Sequence, residues 1–217
     1  MMKKVILTLC ILIPFIISAE PNSKYVKAMQ AAIEALFQSE TLEDYTASAN
    51  TFERIGLAEK NEWHPHYYLA LSRILLSTQS FAQEDVDLYL DQAQSALDTA
   101  TSRYAQPNSE IVSLQGFIYM LRIPVDAATR GPQYSGLAMQ KFQKAVGLNP
   151  ENPRALYLLA NMQMGTAQFF GSGISEACET LDRSIQLFEH QQLSENSLDP
   201  VWGEEWAHNL KKRCEKE

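Results

Sequence analysis

The fold is decided by the stretch Gly136-Leu-Ala-Met-Gln-Lys-Phe-Gln-Lys-Ala-Val-Gly-Leu-Asn-Pro-Glu-Asn-Pro-Arg-Ala-Leu-Tyr-Leu-Leu-Ala-Asn161. Small residues at Ala138 and Ala145 let a neighbouring helix approach closely, Phe142 fills the gap between them, and Pro150 stops the helix they belong to. Two residues on, Asn152 is placed to accept from the free amides of a new first turn. Pro153 then occupies the helical position where a missing N–H costs nothing. The next apolar residues, Leu156, Leu159, Ala160 and Met164, keep three- and four-residue spacing. The pattern predicts the end of one helix, a tight connection and the start of another.

The same punctuation recurs along the chain. Trp63-His64-Pro65, Pro107-Asn108-Ser109 and Asp199-Pro200 mark further helix starts, with Pro65 and Pro200 expected at first helical positions and Asp199 as an N-cap. Pro65, Ser109, Pro153 and Pro200 stand 44, 44 and 47 residues apart, which is a period. Helical apolar spacing also runs through Tyr25, Ala28, Met29, Ala32, Ile33 and Leu36, and through Tyr68, Leu69, Leu71 and Leu75; strict alternation is nowhere sustained. The chain is expected to be all-α and built from stacked helix pairs.

Ala138-x3-Phe142-x2-Ala145-x4-Pro150 resembles the second half of a tetratricopeptide repeat, and Asn152 to Ala160 resembles the opening of the next. Weaker copies lie at Val86-x3-Leu90-x2-Ala93, Gly116-x2-Tyr119, Ala177-x3-Leu181-x2-Ser184 and Ser48-x3-Phe52-x2-Ile55. The resemblance implies a TPR-like α-hairpin solenoid of about four helix pairs over residues 24–190, closed by a C-terminal capping helix at 201–214. Arg130-Gly-Pro-Gln-Tyr134, Phe169-Phe-Gly-Ser-Gly173 and Pro200-Val-Trp-Gly203 are similar to phrases of exported bacterial tetratricopeptide proteins without an assigned activity. That likeness implies a fold and a compartment and transfers no catalytic residue. The period here exceeds the roughly 34 residues of such repeats. The surplus is expected in the connections inside each hairpin, at 77–84, 122–135 and 165–175, aligned along one rim.

Two candidate surfaces follow. The resemblance implies a concave groove lined by the first helix of each hairpin and able to receive an extended peptide or a helix. Alignment on Pro150 places Arg154, Tyr157, Asn161 and Met164 there, after Ser113, Phe117 and Met120 and, earlier still, Tyr67 and Ile74. The rim offers Arg130 as a partner for a carboxylate, Gln133, Tyr134 as a flat contact, and Phe169 and Phe170, with Trp202 docking the cap helix nearby. Plainer packing roles compete: Gly131-Pro132 as a turn, Arg130 on a helix C-terminus, the two phenylalanines as internal anchors, and the groove filled by the cap. The expected function is a non-enzymatic interaction module, an envelope adaptor for a peptide or protein partner. The alternative is a soluble receptor for a small glycan or peptide, with a closed aromatic pocket near Tyr134, Phe169 and Trp202.

Composition agrees with a binding role. The 217 residues are 46% hydrophobic and 20% charged, enough apolar surface for a packed core. A net charge of −8 and a pI near 5.1 argue against nucleic acid as a partner, which needs a basic footprint. Residues 1–19 have a basic start, an apolar run interrupted by Pro14 and a small-residue end at Ala19, the layout of an export leader cleaved before Glu20. At about 1.5 Å per residue that run reaches roughly 20 Å, short of the about 30 Å of a bilayer core, which argues against an uncleaved anchor; no later stretch approaches about 18 apolar residues in a row, so no membrane insertion is expected after cleavage. Cys10 follows too few apolar residues for lipid attachment.

Export implies an oxidising compartment. If 176–190 and 200–214 are antiparallel helices, Cys178 and Cys214 fall opposite each other, either as a disulfide worth about 3–4 kcal/mol or as two free thiols. No G-x-S-x-G elbow, phosphate-cradling loop or His-Glu-x-x-His pair is present, and no cofactor is expected. His64-Pro65-His66 can be read as a surface metal site. A helix start with Trp63 stapled onto Tyr68 explains the same residues without metal.

Overall fold

The computed structural model describes residues 23–79 and 85–216. The proposed leader at 1–19 and the start at Glu20 lie outside the described residues, as does most of the 77–84 connection. Nine α-helices follow one another, with no strand among the described residues: α1 (Ser23–Phe37), α2 (Leu42–Ala58), α3 (His64–Gln79), α4 (Val86–Arg103), α5 (Ser109–Arg122), α6 (Ala127–Leu148), α7 (Pro153–Phe170), α8 (Ser175–Glu189) and α9 (Glu204–Lys211). A 3-10 turn, Cys214–Lys216, ends the described chain.

Their ends are capped as the side chains dictate. Thr41 and Asp44 form a reciprocal capping box on α2. Asn108 accepts from two amides of α5, and Asn152 does the same for α7 with Pro153 at its first position. Gly171, at φ 66°, closes α7 in the left-handed conformation, and the Ser172 N–H returns to the Ala167 carbonyl.

Each helix packs on its neighbours in sequence. In addition α1 meets α3, α3 meets α5 and α5 meets α7, whereas even-numbered helices meet one another far less extensively, as α4 and α6 do through Asp87 and Arg130. Odd helices therefore form a close inner layer and even helices a splayed outer one, the geometry of a curved α-hairpin solenoid of four pairs. α9 continues the order by packing on α8 and α7. The sequence period is visible as a chain of contacts: the Tyr67 hydroxyl donates to Glu110, and Glu110 accepts from Arg154, one residue from each of three successive inner helices.

The helices meet through the small residues. Ala138, Phe142 and Ala145 are fully buried. A Cβ on Gly116 of α5 would lie 2.5 Å from the Phe142 ring, so this crossing is set by the absent side chain.

Several expectations are corrected. The surplus over a 34-residue repeat lies mostly in longer helices. Arg130, Gln133 and Tyr134 sit on the first turns of α6, and Gly131-Pro132 makes no turn. Pro132 is tolerated inside α6 because both it and Ala128, whose carbonyl loses a partner, face solvent. The 165–175 segment likewise stays helical to Phe170. Pro200 starts no helix and Asp199 caps none: α9 begins at Glu204 after Gly203, whose φ of 107° and contact with Phe188 leave no room for a side chain.

Candidate functional site

The inner layer carries most of the groove residues named from sequence, and most are closed off. Arg154 is 2% exposed; its guanidinium donates through Nε and Nη2 to Glu110 and through Nη1 to Gln191. Burial alone disfavours its charge, but the Glu110 carboxylate and its hydrogen bonds hold the Arg154 pKa above the ordinary value. Tyr67 is completely buried beside this pair, and burial, reinforced by Glu110, pushes its hydroxyl pKa far up. Tyr157 is buried too, which raises its pKa to about 12. Phe117 and Met164 are buried, while Asn161 and Met120 are half-exposed.

The covering comes from the C-terminal segment. After α8 the chain folds back over the inner layer, so that the Trp202 indole donates to the Tyr67 hydroxyl (2.8 Å) and stacks on Phe117 at 6.4 Å. Trp206 of α9 packs on Trp202 and Tyr157. Trp202 therefore lies in the core of the concave face and does not dock the cap helix against the 167–173 segment on the rim. Cys178 and Cys214 are bonded and staple the end of this segment to α8. The Lys211 ammonium adds an ion pair to Asp182.

The rim between the two helices of each hairpin is different in character. At its α4–α6 side, Arg130 grips Asp87 with two bonds of 2.8 Å, and Arg122 bridges Asp87 and Asp91 while lying over the Tyr134 ring. The Arg130 hydrogen bonds and the two cations hold the Asp87 carboxyl below the usual range. Tyr134 stacks on Tyr119. These side chains satisfy one another.

At the end of α7 the reverse holds. Phe169 and Phe170 are 82% and 74% exposed, set edge to face at 5.1 Å and fixed by the turn at Gly171. They are not internal anchors. Gln168, immediately before them, accepts from the Arg213 guanidinium at 3.0 Å, which brings a cation to the same edge. Each exposed phenylalanine leaves about 1.5–3 kcal/mol of burial free energy to whatever covers it. The pair forms an exposed apolar patch at the end of α7.

The remaining candidates disperse. His64 stacks on Trp63 and faces Asp199 at 3.9 Å, whereas His66 lies against Gly56 of α2, so the two imidazoles do not converge. Trp63 packs edge-on against Tyr67 and Tyr104, not Tyr68. No group of three or more metal-ligating side chains gathers among the described residues, and no described helix is long and apolar enough to cross a membrane. Sequence inspection missed Glu110; the signal was its 44-residue distance from Arg154.

No protein-family profile and no curated protein matches the chain. Among solved structures, the HusA haemophore from Porphyromonas gingivalis superposes with a TM-score of 0.79 at 28% identity, covering 88% of this chain and 93% of that one. The likeness is to a protein named as a haemophore.

Proposed function

We propose that the chain is an exported, non-enzymatic carrier that holds a flat, largely apolar ligand with acidic edges, of the haem class, on the Phe169–Phe170 edge. The observation that carries this is the exposure of those two rings in a molecule that keeps Phe52, Phe117, Phe142 and Phe188 at 7% or less. Rings fixed at a helix end supply dispersion and burial, and Arg213 beside Gln168 supplies a charge partner for a carboxylate. The likeness to a haemophore supports the same ligand class, and a disulfide is compatible with an envelope or extracellular location. The array belongs in this reading to the tetratricopeptide type, supported by the packing of Ala138, Phe142 and Ala145.

Titration of the mature chain with haemin, followed in the Soret band, should give a saturable complex. The double variant Phe169→Ala/Phe170→Ala should weaken it at least tenfold, because two burial terms of this size are lost. An unchanged spectrum would remove the haem class, and equal affinity of the variant would remove the edge as its site.

A second reading, an adaptor whose protein partner covers the same two rings, draws on the same exposure. It requires an envelope protein recovered by the wild type and lost by the double variant, without haemin binding.

A further inference from the structure

The concave face of a hairpin array is where partner segments lie, and here residues 191–203 of the same chain lie there. The segment turns once, at Ser194–Ser197, and is held partly through its main chain. The Tyr68 hydroxyl donates to the carbonyls of Leu198 (3.3 Å) and Asp199 (3.1 Å), and the Gln30 side chain donates to the Glu195 carbonyl (2.9 Å). Leu198 and Trp202, four positions apart, are the buried anchors at 7% and 3% exposure.

Open clefts flank this strap on both sides. One of about 490 Å³ runs between Tyr104, Leu148 and Arg154 and the strap residues Gln191, Leu193 and Pro200. The other, about 290 Å³, runs between Tyr25, Glu62 and His64 and the strap residues 196–199. Asp199 borders both.

Past the strap come the eight residues of α9, then Lys212, Arg213 and Cys214, which is bonded to Cys178 across a sequence separation of 36. An eight-residue helix does not hold itself together, and the covalent loop adds to the packing of Trp202, Trp206 and Ala207 in confining the strap and α9 to the groove. Both cysteines are half-buried, within reach of a small reductant.

We infer that the strap is an intramolecular occupant of the groove, latched by Cys178–Cys214, and that reduction of this bond releases it. The vacated groove then takes a peptide segment with an aliphatic residue four positions before an aromatic one. A dithiol supplies the two electrons: its thiolate attacks one sulfur, the mixed disulfide resolves to the oxidised dithiol, and Cys178 and Cys214 leave as thiols with the two protons the dithiol gives up. The latch makes no use of the Phe169 and Phe170 rings, although Arg213, next to Cys214, leaves that edge when the segment is released.

The test is hydrogen exchange by mass spectrometry on the mature chain with and without dithiothreitol. It is paired with binding of a fluorescein-labelled peptide of the strap sequence Ser-Glu-Asn-Ser-Leu-Asp-Pro-Val-Trp-Gly. On reduction, amides of 191–214 should exchange at least tenfold faster while α3 to α8 stay protected, and the peptide should bind the reduced form and not the oxidised one. Trp202→Ala, with the disulfide intact, should capture the same peptide without reductant. Unchanged protection of the strap after reduction would overturn the latch, as would loss of protection throughout α3 to α8. Failure of both the reduced protein and the Trp202→Ala variant to take the peptide would overturn the groove.

Discussion

Glu110 and Arg154 place opposite charges deep between two inner helices, where the cost of burying them is offset because each guanidinium nitrogen finds an acceptor. Glu110 accepts from Arg154 and from Tyr67, and Arg154 uses its last nitrogen on Gln191. Glu110→Gln keeps the shape and removes the charge, leaving a buried guanidinium uncompensated. Urea unfolding should show a loss of about 3–5 kcal/mol; a loss under about 1 kcal/mol would mean that water already compensates Arg154. Arg154 is therefore a poor probe of ligand binding, because its removal acts through the fold.

Asp87 is the opposite case, an ion-paired carboxylate at the surface. Its folded pKa is lowered by the Arg130 hydrogen bonds and by the nearby cations, so its contribution is complete above the unfolded value of about 3.9 and disappears as pH falls through the lower folded value. With a 37% exposed side chain, solvent screening limits the pair to under about 1 kcal/mol. Asp87→Asn should lower the melting temperature at pH 7 by at most about 2–4 °C. The difference from wild type should shrink below about pH 4; a constant difference down to the lowest pH at which both fold would sink this account.

Among the elements, the α5–α6 crossing shows how a sequence pattern becomes geometry. Gly116 and Phe142 are a matched pair, and a methyl group on Gly116 would overlap a ring that is fully buried and cannot swing away. Gly116→Ala should cost about 1–3 kcal/mol as an overpacked site. Combination with Phe142→Leu should cost less than the two changes summed, since the smaller side chain makes room for the methyl. Strict additivity in that cycle would show that the crossing is not set by this contact. Pro132 illustrates the converse: inside α6 it looked like a turn marker, and it is accommodated because the freed carbonyl faces water.

For the whole molecule, the array is legible in the sequence wherever the signal is local. Asn152-Pro153 starts α7, the Ala138–Phe142–Ala145 spacing packs α6, and the 44-residue period orders the hairpins, because caps, steric spacing and helical periodicity act over a few residues. The length of the period was visible too, but not how it is used: whether ten extra residues lengthen helices or loops depends on whether solvent or a neighbouring helix meets positions such as Ala128 and Phe170. The pairing of Cys178 with Cys214 stood open between bond and free thiols until the path of α9 was known.

The sequence by itself determined an all-helical chain of repeated pairs, their register and their caps. Only the tertiary structure decided that Trp202 and Leu198 return across 130 or more residues to fill the concave face, and that Phe169 and Phe170 are left uncovered. The reason is that burial is a property of the finished surface. An aromatic residue has the same local signature whether another part of the chain reaches it or water does.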